Sequence, residues 1–135
     1  LAVQLTQLLL MGVFIRTVGP SNYPTYHPRP IETGVPSGIQ PAEVAFGENP
    51  AIRLLGYDVA RDEAAQSLDV TLFWQADGRV PQPYTVFVHL VGADGVLLSQ
   101  HDSMPQDNAS PTICWRPGEV IADRHRLAAP VPPSE

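Results

Sequence analysis

Cysteine is almost missing from this chain: Cys114 is the one thiol in 135 residues. A single cysteine cannot close an internal disulfide and cannot by itself make a zinc site, so neither device braces the fold and stability must come from packing. Lysine is absent altogether, and the 8 basic residues, all arginine, face 14 acidic ones for a formal net charge of -6, with no basic run. Nucleic acid is therefore a poor partner, because the cationic stripe that neutralises phosphates is not there. The chain also lacks a glycine-rich phosphate loop and a Gly-x-Ser-x-Gly elbow, which leaves no cradle for nucleotide phosphates and no exposed elbow nucleophile. Its length gives room for one domain, and a hydrophobic content of 44% suffices for a modest core.

What is present divides into three textures. Leu1 to Ile15 carries no charge and is broken only by Gln4, Thr6 and Gln7 among the mostly apolar residues, before Arg16 ends the run. A membrane helix needs roughly 20 such residues, so residues 1–18 are read as the end of a transmembrane helix cut from something longer. The rival readings are a signal-peptide core and a buried helix of a soluble protein. Residues 19–41 form a linker punctuated by Pro20, Pro24, Pro28, Pro30, Pro36 and Pro41, without sustained periodicity.

From residue 42 onward the chain alternates short β-type runs with turn signals. Strands are expected at Glu43 to Phe46, Ile52 to Val59, Ser67 to Gln75, Tyr84 to Val91, Val96 to Asp102 and Glu119 to Leu127. Leu68, Val70, Leu72 and Trp74 occupy alternate positions of the third run, the period of a strand with one buried face, so Trp74 points into the core. In the fourth run Val86, Val88 and Leu90 alternate likewise while Phe87 adds apolar surface to the other face, as expected of a central strand. Asp94-Gly95 signals a hairpin, and Arg116-Pro117-Gly118-Glu119 a type II turn with glycine at its third position. Several short strands spaced by such turns predict an all-β, antiparallel sandwich.

Phe46-Gly47, Arg53 to Asp58, Leu72 to Ala76, Tyr84 to Leu90, Asp94-Gly95, Gln100 to Ser103 and Trp115 to Val120, in that order, carry a resemblance. Together they resemble the C-terminal soluble domain of bacterial polytopic membrane glycosyltransferases similar to the dolichyl-phosphate-mannose protein mannosyltransferases. The resemblance implies that the apolar start is the last membrane helix, the proline-rich stretch a tether, and the sandwich an extracytoplasmic accessory domain of a larger chain. Arg16 and Arg29 point mildly to the opposite orientation by the positive-inside rule, so the side of the membrane comes from the resemblance alone. Transfer from a polyprenyl-phosphate sugar is implied for the parent, with its acidic catalytic residues in a region outside this sequence, so no catalytic residue and no cofactor is assigned here. The resemblance also leads one to expect a Gly-x-Tyr strand and a final partner strand after Ala129-Pro130-Val131-Pro132-Pro133. Neither follows, and the sandwich is expected to be incomplete there, with an open edge that invites association.

The candidate chemistry is modest. His89, His101, Asp123 and His125, with Asp102, combine imidazoles and carboxylates that suit a borderline metal, although hydrogen-bonded structural histidines are the default reading. With regular strands, an even hairpin loop puts His89 and His101 on opposite faces and a three-residue loop puts them on one. Ser99 or Ser103 with His101 and Asp102 makes a weak Ser-His-Asp set, since neighbours alternate across a strand. Cys114 has no lysine or histidine nearby in sequence to activate it. Glycan binding is the stronger option, with Trp115 as stacking platform and Tyr57 and Tyr84 as weaker ones. Against it, a tryptophan before a Pro-Gly turn is often the plug of a sandwich end. The expected function is thus non-catalytic, positioning a glycan or acceptor. The alternatives are a membrane-anchored carbohydrate-binding or protein-interaction module and, behind them, a metal-dependent hydrolase.

Overall fold

The computed structural model describes residues 12–17, 34–47 and 52–130. The strands are β1 (Gly12–Thr17), β2 (Gln40–Phe46), β3 (Ile52–Asp62), β4 (Ser67–Ala76), β5 (Tyr84–Val91), β6 (Leu97–Ser103) and β7 (Val120–Ala128), with one 3-10 turn at Thr112–Cys114. They form two antiparallel sheets, one in the order β1-β5-β6 and the other β2-β3-β4-β7. The expected all-β sandwich is the observed architecture, and β5 is the central strand of its sheet.

The start of the chain departs from expectation. Residues 12–17, read as the tail of a membrane helix, are a strand, registered from Gly12 opposite His89 to Thr17 opposite Tyr84. Apolar content alone does not separate helix from strand, and the β-branched and aromatic run Val13-Phe14-Ile15 suits a pleated surface. The rest of that expected span, residues 1–11 and 18, and residues 19–33 of the linker expected over 19–41 lie outside the described residues, as do residues 48–51 and 131–135. Among the described residues no helix is long and apolar enough to cross a membrane. The linker ends earlier than expected, because β2 begins at Gln40 and includes Pro41. Within sheets proline is confined to edge strands, strand starts and bulges, and β2 is an edge strand.

The core lies between the sheets. Leu54, Leu68, Val70, Leu72 and Trp74 from one sheet meet Val86, Val88 and Leu90 from the other, with Trp115, Ile121 and Leu127 completing the cluster. Trp74 is fully buried and packs edge-on against Phe46, with ring centroids 5.6 Å apart. Full burial of each large side chain contributes about 1.5–3 kcal/mol, so this cluster is the main source of stability in a chain without disulfides.

The turns follow the sequence signals. Gly118 has φ +79° and Glu119 N–H donates to Arg116 O at 3.0 Å, the geometry of the expected type II turn. In the β5–β6 hairpin, Gly92 N–H donates to Val96 O at 2.8 Å, which leaves residues 93–95 as a three-residue loop. Regular strands would then set His89 and His101 on one face. Instead Val91 pairs with Leu97 and Leu90 with Ser99, so Leu98 is an extra, bulged residue. His89 consequently faces Gln100 and His101 faces Val88, on opposite sides of the sheet.

A second bulge lies in β3, where Leu54 pairs with Trp74 and Gly56 with Phe73. A Cβ at Gly56 would sit 2.5 Å from Ile39 Cδ1 and 2.7 Å from Gln40 O, so only glycine lets the entry to β2 lie against β3 there. Gly56→Ala is expected to destabilise by about 1–3 kcal/mol, since a backbone oxygen must move. Urea unfolding should show a lower midpoint at unchanged slope, and an unaltered midpoint would refute the close approach.

Candidate functional site

The edge strands β6 and β7 belong to different sheets, yet their inward residues meet. Along β7, Ile121, Asp123, His125 and Leu127 are buried and alternate with exposed Ala122, Arg124 and Arg126. His101 comes from β6, and its Nδ1 lies 2.8 Å from His125 Nδ1, with the rings edge to face at 76°. His125 Nε2 lies 2.7 Å from Asp123 Oδ2, and both of these side chains are wholly buried. Trp74 Nε1–H donates to the same Oδ2 at 3.2 Å, and the Gln106 backbone N–H donates to Oδ1 at 2.7 Å.

This pattern determines the tautomers. An ionised Asp123 can only accept, and with Trp74 and the Gln106 backbone already donating to its two oxygens this places the His125 proton on Nε2. His125 Nδ1 is then an acceptor, and the neutral His101 must donate to it from Nδ1. The lone pair left over is on His101 Nε2, which lies 3.9 Å from Asp107 Oδ1. His101 and Asp107, with Gln106, Ala122, Arg124 and Arg126, line an open groove of about 440 Å³.

A left-handed turn forms one wall. Gln106, Asp107 and Asn108 have φ of 55°, 53° and 71°, a run of positive values that non-glycine residues rarely adopt. Hydrogen bonds hold it: Met104 N–H donates to Asn108 Oδ1 at 3.0 Å, and Asn108 N–H to Met104 O at 2.9 Å. Gln106 Nε2 also donates to Ala122 O at 3.1 Å, which covers part of the open edge of β7. On the outer face Arg126 binds Asp69 through Nε at 2.8 Å, and Arg124 binds it through an Nη at 2.6 Å. Hydrogen bonds from Arg126 and then Arg124 hold the Asp69 carboxyl well below the usual carboxylate range.

The structure brings together three of the four metal candidates, His101, Asp123 and His125, and leaves His89 on the opposite face, 4.0 Å from Asp102 Oδ1. Two ring nitrogens in direct hydrogen-bond contact leave no space for an ion between them, and among the described residues no group of three or more His, Cys, Asp or Glu could hold one. The Ser-His-Asp set does not assemble, because His101 spends Nδ1 on His125 while Asp102 faces the side of His89.

Trp115 is corrected as a stacking platform: it is 2% exposed, and its Nε1–H donates to Ser110 O at 3.0 Å. A ring with both faces covered cannot receive a sugar, and the structure makes it the plug of the sandwich end. Tyr57 and Tyr84 are half-buried and pack against the core. Beside the plug, Thr112 Oγ1 donates to Gln82 O at 2.7 Å and accepts from Tyr84 N–H at 3.1 Å, tying the 3-10 turn to the start of β5. Sequence reasoning missed Gln106, Asp107, Arg124 and Arg126 as groove residues. The Asp107-Asn108 pair, tolerant of left-handed backbone, was the available signal.

No protein-family model matches the chain, and comparisons with curated proteins and with solved structures find no significant match.

Trp115→Ala is expected to lower stability by about 3–5 kcal/mol, as for other buried aromatic truncations, in urea unfolding. Asp69 stabilises the fold above its unfolded value of about 3.9, and that contribution is lost as pH falls below it towards the lower folded value. Asp69→Asn should therefore flatten the loss of stability below about pH 4; an acid limb identical to wild type would remove Asp69 from its cause.

Proposed function

We propose that this chain contributes a non-catalytic, extracytoplasmic accessory domain to a larger membrane glycosyltransferase, and that the β6–β7 groove positions a glycan or acceptor. The observation that carries this reading is the way the groups suited to chemistry are used. Asp123 and His125 are sealed in the core, and none of the six groove-lining residues is Ser, Thr, Cys or Lys. What faces the groove is a set of hydrogen-bonding groups: the His101 lone pair and Asp107 carboxylate as acceptors, Arg124 and Arg126 as donors. Closely spaced donors and acceptors suit a polyhydroxyl ligand, whose every hydroxyl both gives and takes a hydrogen bond. The motifs behind the family resemblance support the domain type, since Trp74, Trp115 and the Arg116 to Glu119 turn are the residues that build this sandwich.

The protein-interaction reading has its own support. Val96, just before edge strand β6, and Leu97 and Leu98, which open it, are each about half exposed. A glycan array with the folded protein separates the two. Saturable binding, lost in Asp107→Ala/Arg124→Ala and unaffected by chelator, is the expected result. An array without binding, by a protein that remains folded, would overturn glycan positioning and leave the Val96 to Leu98 face as the functional surface.

A further inference from the structure

We infer that His101 and His125 form a single proton-binding unit bridging the two sheets, which accepts one proton where two separate histidines would accept two. The Nδ1 to Nδ1 distance of 2.8 Å carries this. A hydrogen bond of that length has room for one proton, because two protonated nitrogens would aim donors at each other. His125 Nε2 is already protonated toward Asp123 Oδ2 at 2.7 Å. The four ring nitrogens of the pair therefore hold two protons in the neutral arrangement and three at most while the bridge survives.

The third proton enters at His101 Nε2, the nitrogen facing the groove and 3.9 Å from Asp107 Oδ1. Either ring can then carry the charge. Moving the shared proton from His101 to His125 places an imidazolium directly against the buried Asp123 carboxylate, a pairing that offsets the burial of that charge. Around the unit stand Asp107 from the turn, Asp123, Arg124 and Arg126 from β7, and the Trp74 indole from β4. Both arginines are held by Asp69. His89 and Asp102 lie on the other face of their sheet and take no part.

A fourth proton breaks the bridge, yet an unfolded chain accepts it freely. Well below the ordinary histidine value of about 6.5, an unfolded chain carries four protons on these rings, at least one more than the bridged pair can hold. Stability rises with pH wherever the unfolded state binds more protons, so it falls here on acidification, at a limiting tenfold or more in the unfolding constant per pH unit. The same third proton exchanges the acceptor that His101 shows the groove for a donor. This proton site is a property of the fold whether or not a glycan occupies the groove.

Nitrogen NMR of the histidine side chains between pH 7.5 and 5 tests the count directly on the whole chain. The expected result is no more than three protonated nitrogens on the pair down to pH 5 in the folded protein; four, with the protein still folded, would overturn the inference. Urea unfolding over the same range, with His101→Gln beside wild type, supplies a second reading. Glutamine can meet His125 Nδ1 as donor or acceptor, so the variant should lose at least a tenfold-per-unit share of the dependence, and an unchanged dependence would also overturn the inference. If His101→Gln does not fold, the proton count on wild type decides alone.

Discussion

The carboxylate of Asp123 is the constraint on which the rest of this structure depends. It sits without exposed surface between two sheets whose core is mostly apolar, and burying a charge there is unfavourable unless hydrogen bonds replace its water. The replacements come from three different places: the Trp74 indole on β4, His125 on β7 itself, and the backbone of the turn after β6. Each is thereby held in place. Trp74 is oriented in the core, the Gln106 turn is drawn over the open edge of β7, and His125 is turned so that its second nitrogen reaches His101 across the sheets. Removal of the carboxylate would strand donors in all three, and a stranded buried donor costs about 1–3 kcal/mol.

The arrangement also explains why a strained turn persists. Three successive residues in left-handed backbone are unfavourable by themselves, at about 1–3 kcal/mol each in general. Met104, Gln106 and Asn108 pin the turn through both backbone and side chain, and Asp123 supplies the deepest of those bonds. The result is a hydrogen-bonded wall carrying Asp107 beside the imidazole nitrogen that the network leaves outward. Across the groove from Asp107, Arg124 and Arg126 are tied to Asp69.

The fold was largely legible. Alternation of Leu68, Val70, Leu72 and Trp74 revealed the buried face of β4, and Arg116-Pro117-Gly118-Glu119 announced its turn, because local sterics and side-chain period act within a few residues. The groove was not. Its members come from β6, β7 and the turn between them, and their meeting depends on how two sheets stack. Residues 12–17 misled for a related reason: apolar content does not choose between helix and strand, and the choice is decided by the partner the segment finds, here β5.

Sequence by itself thus determined the all-β class, most strand positions, the central place of β5 and the inward direction of Trp74, all consequences of short-range geometry. Tertiary structure decided the rest. One bulged residue, Leu98, set His89 and His101 on opposite faces, which no loop count could foresee. Docking of the sheets turned Trp115 into a plug, and it made a single proton-sharing pair of two histidines 24 residues apart. The physical reason is that hydrogen bonds between distant strands depend on register and stacking to a fraction of an ångström, and those are properties of the assembled core.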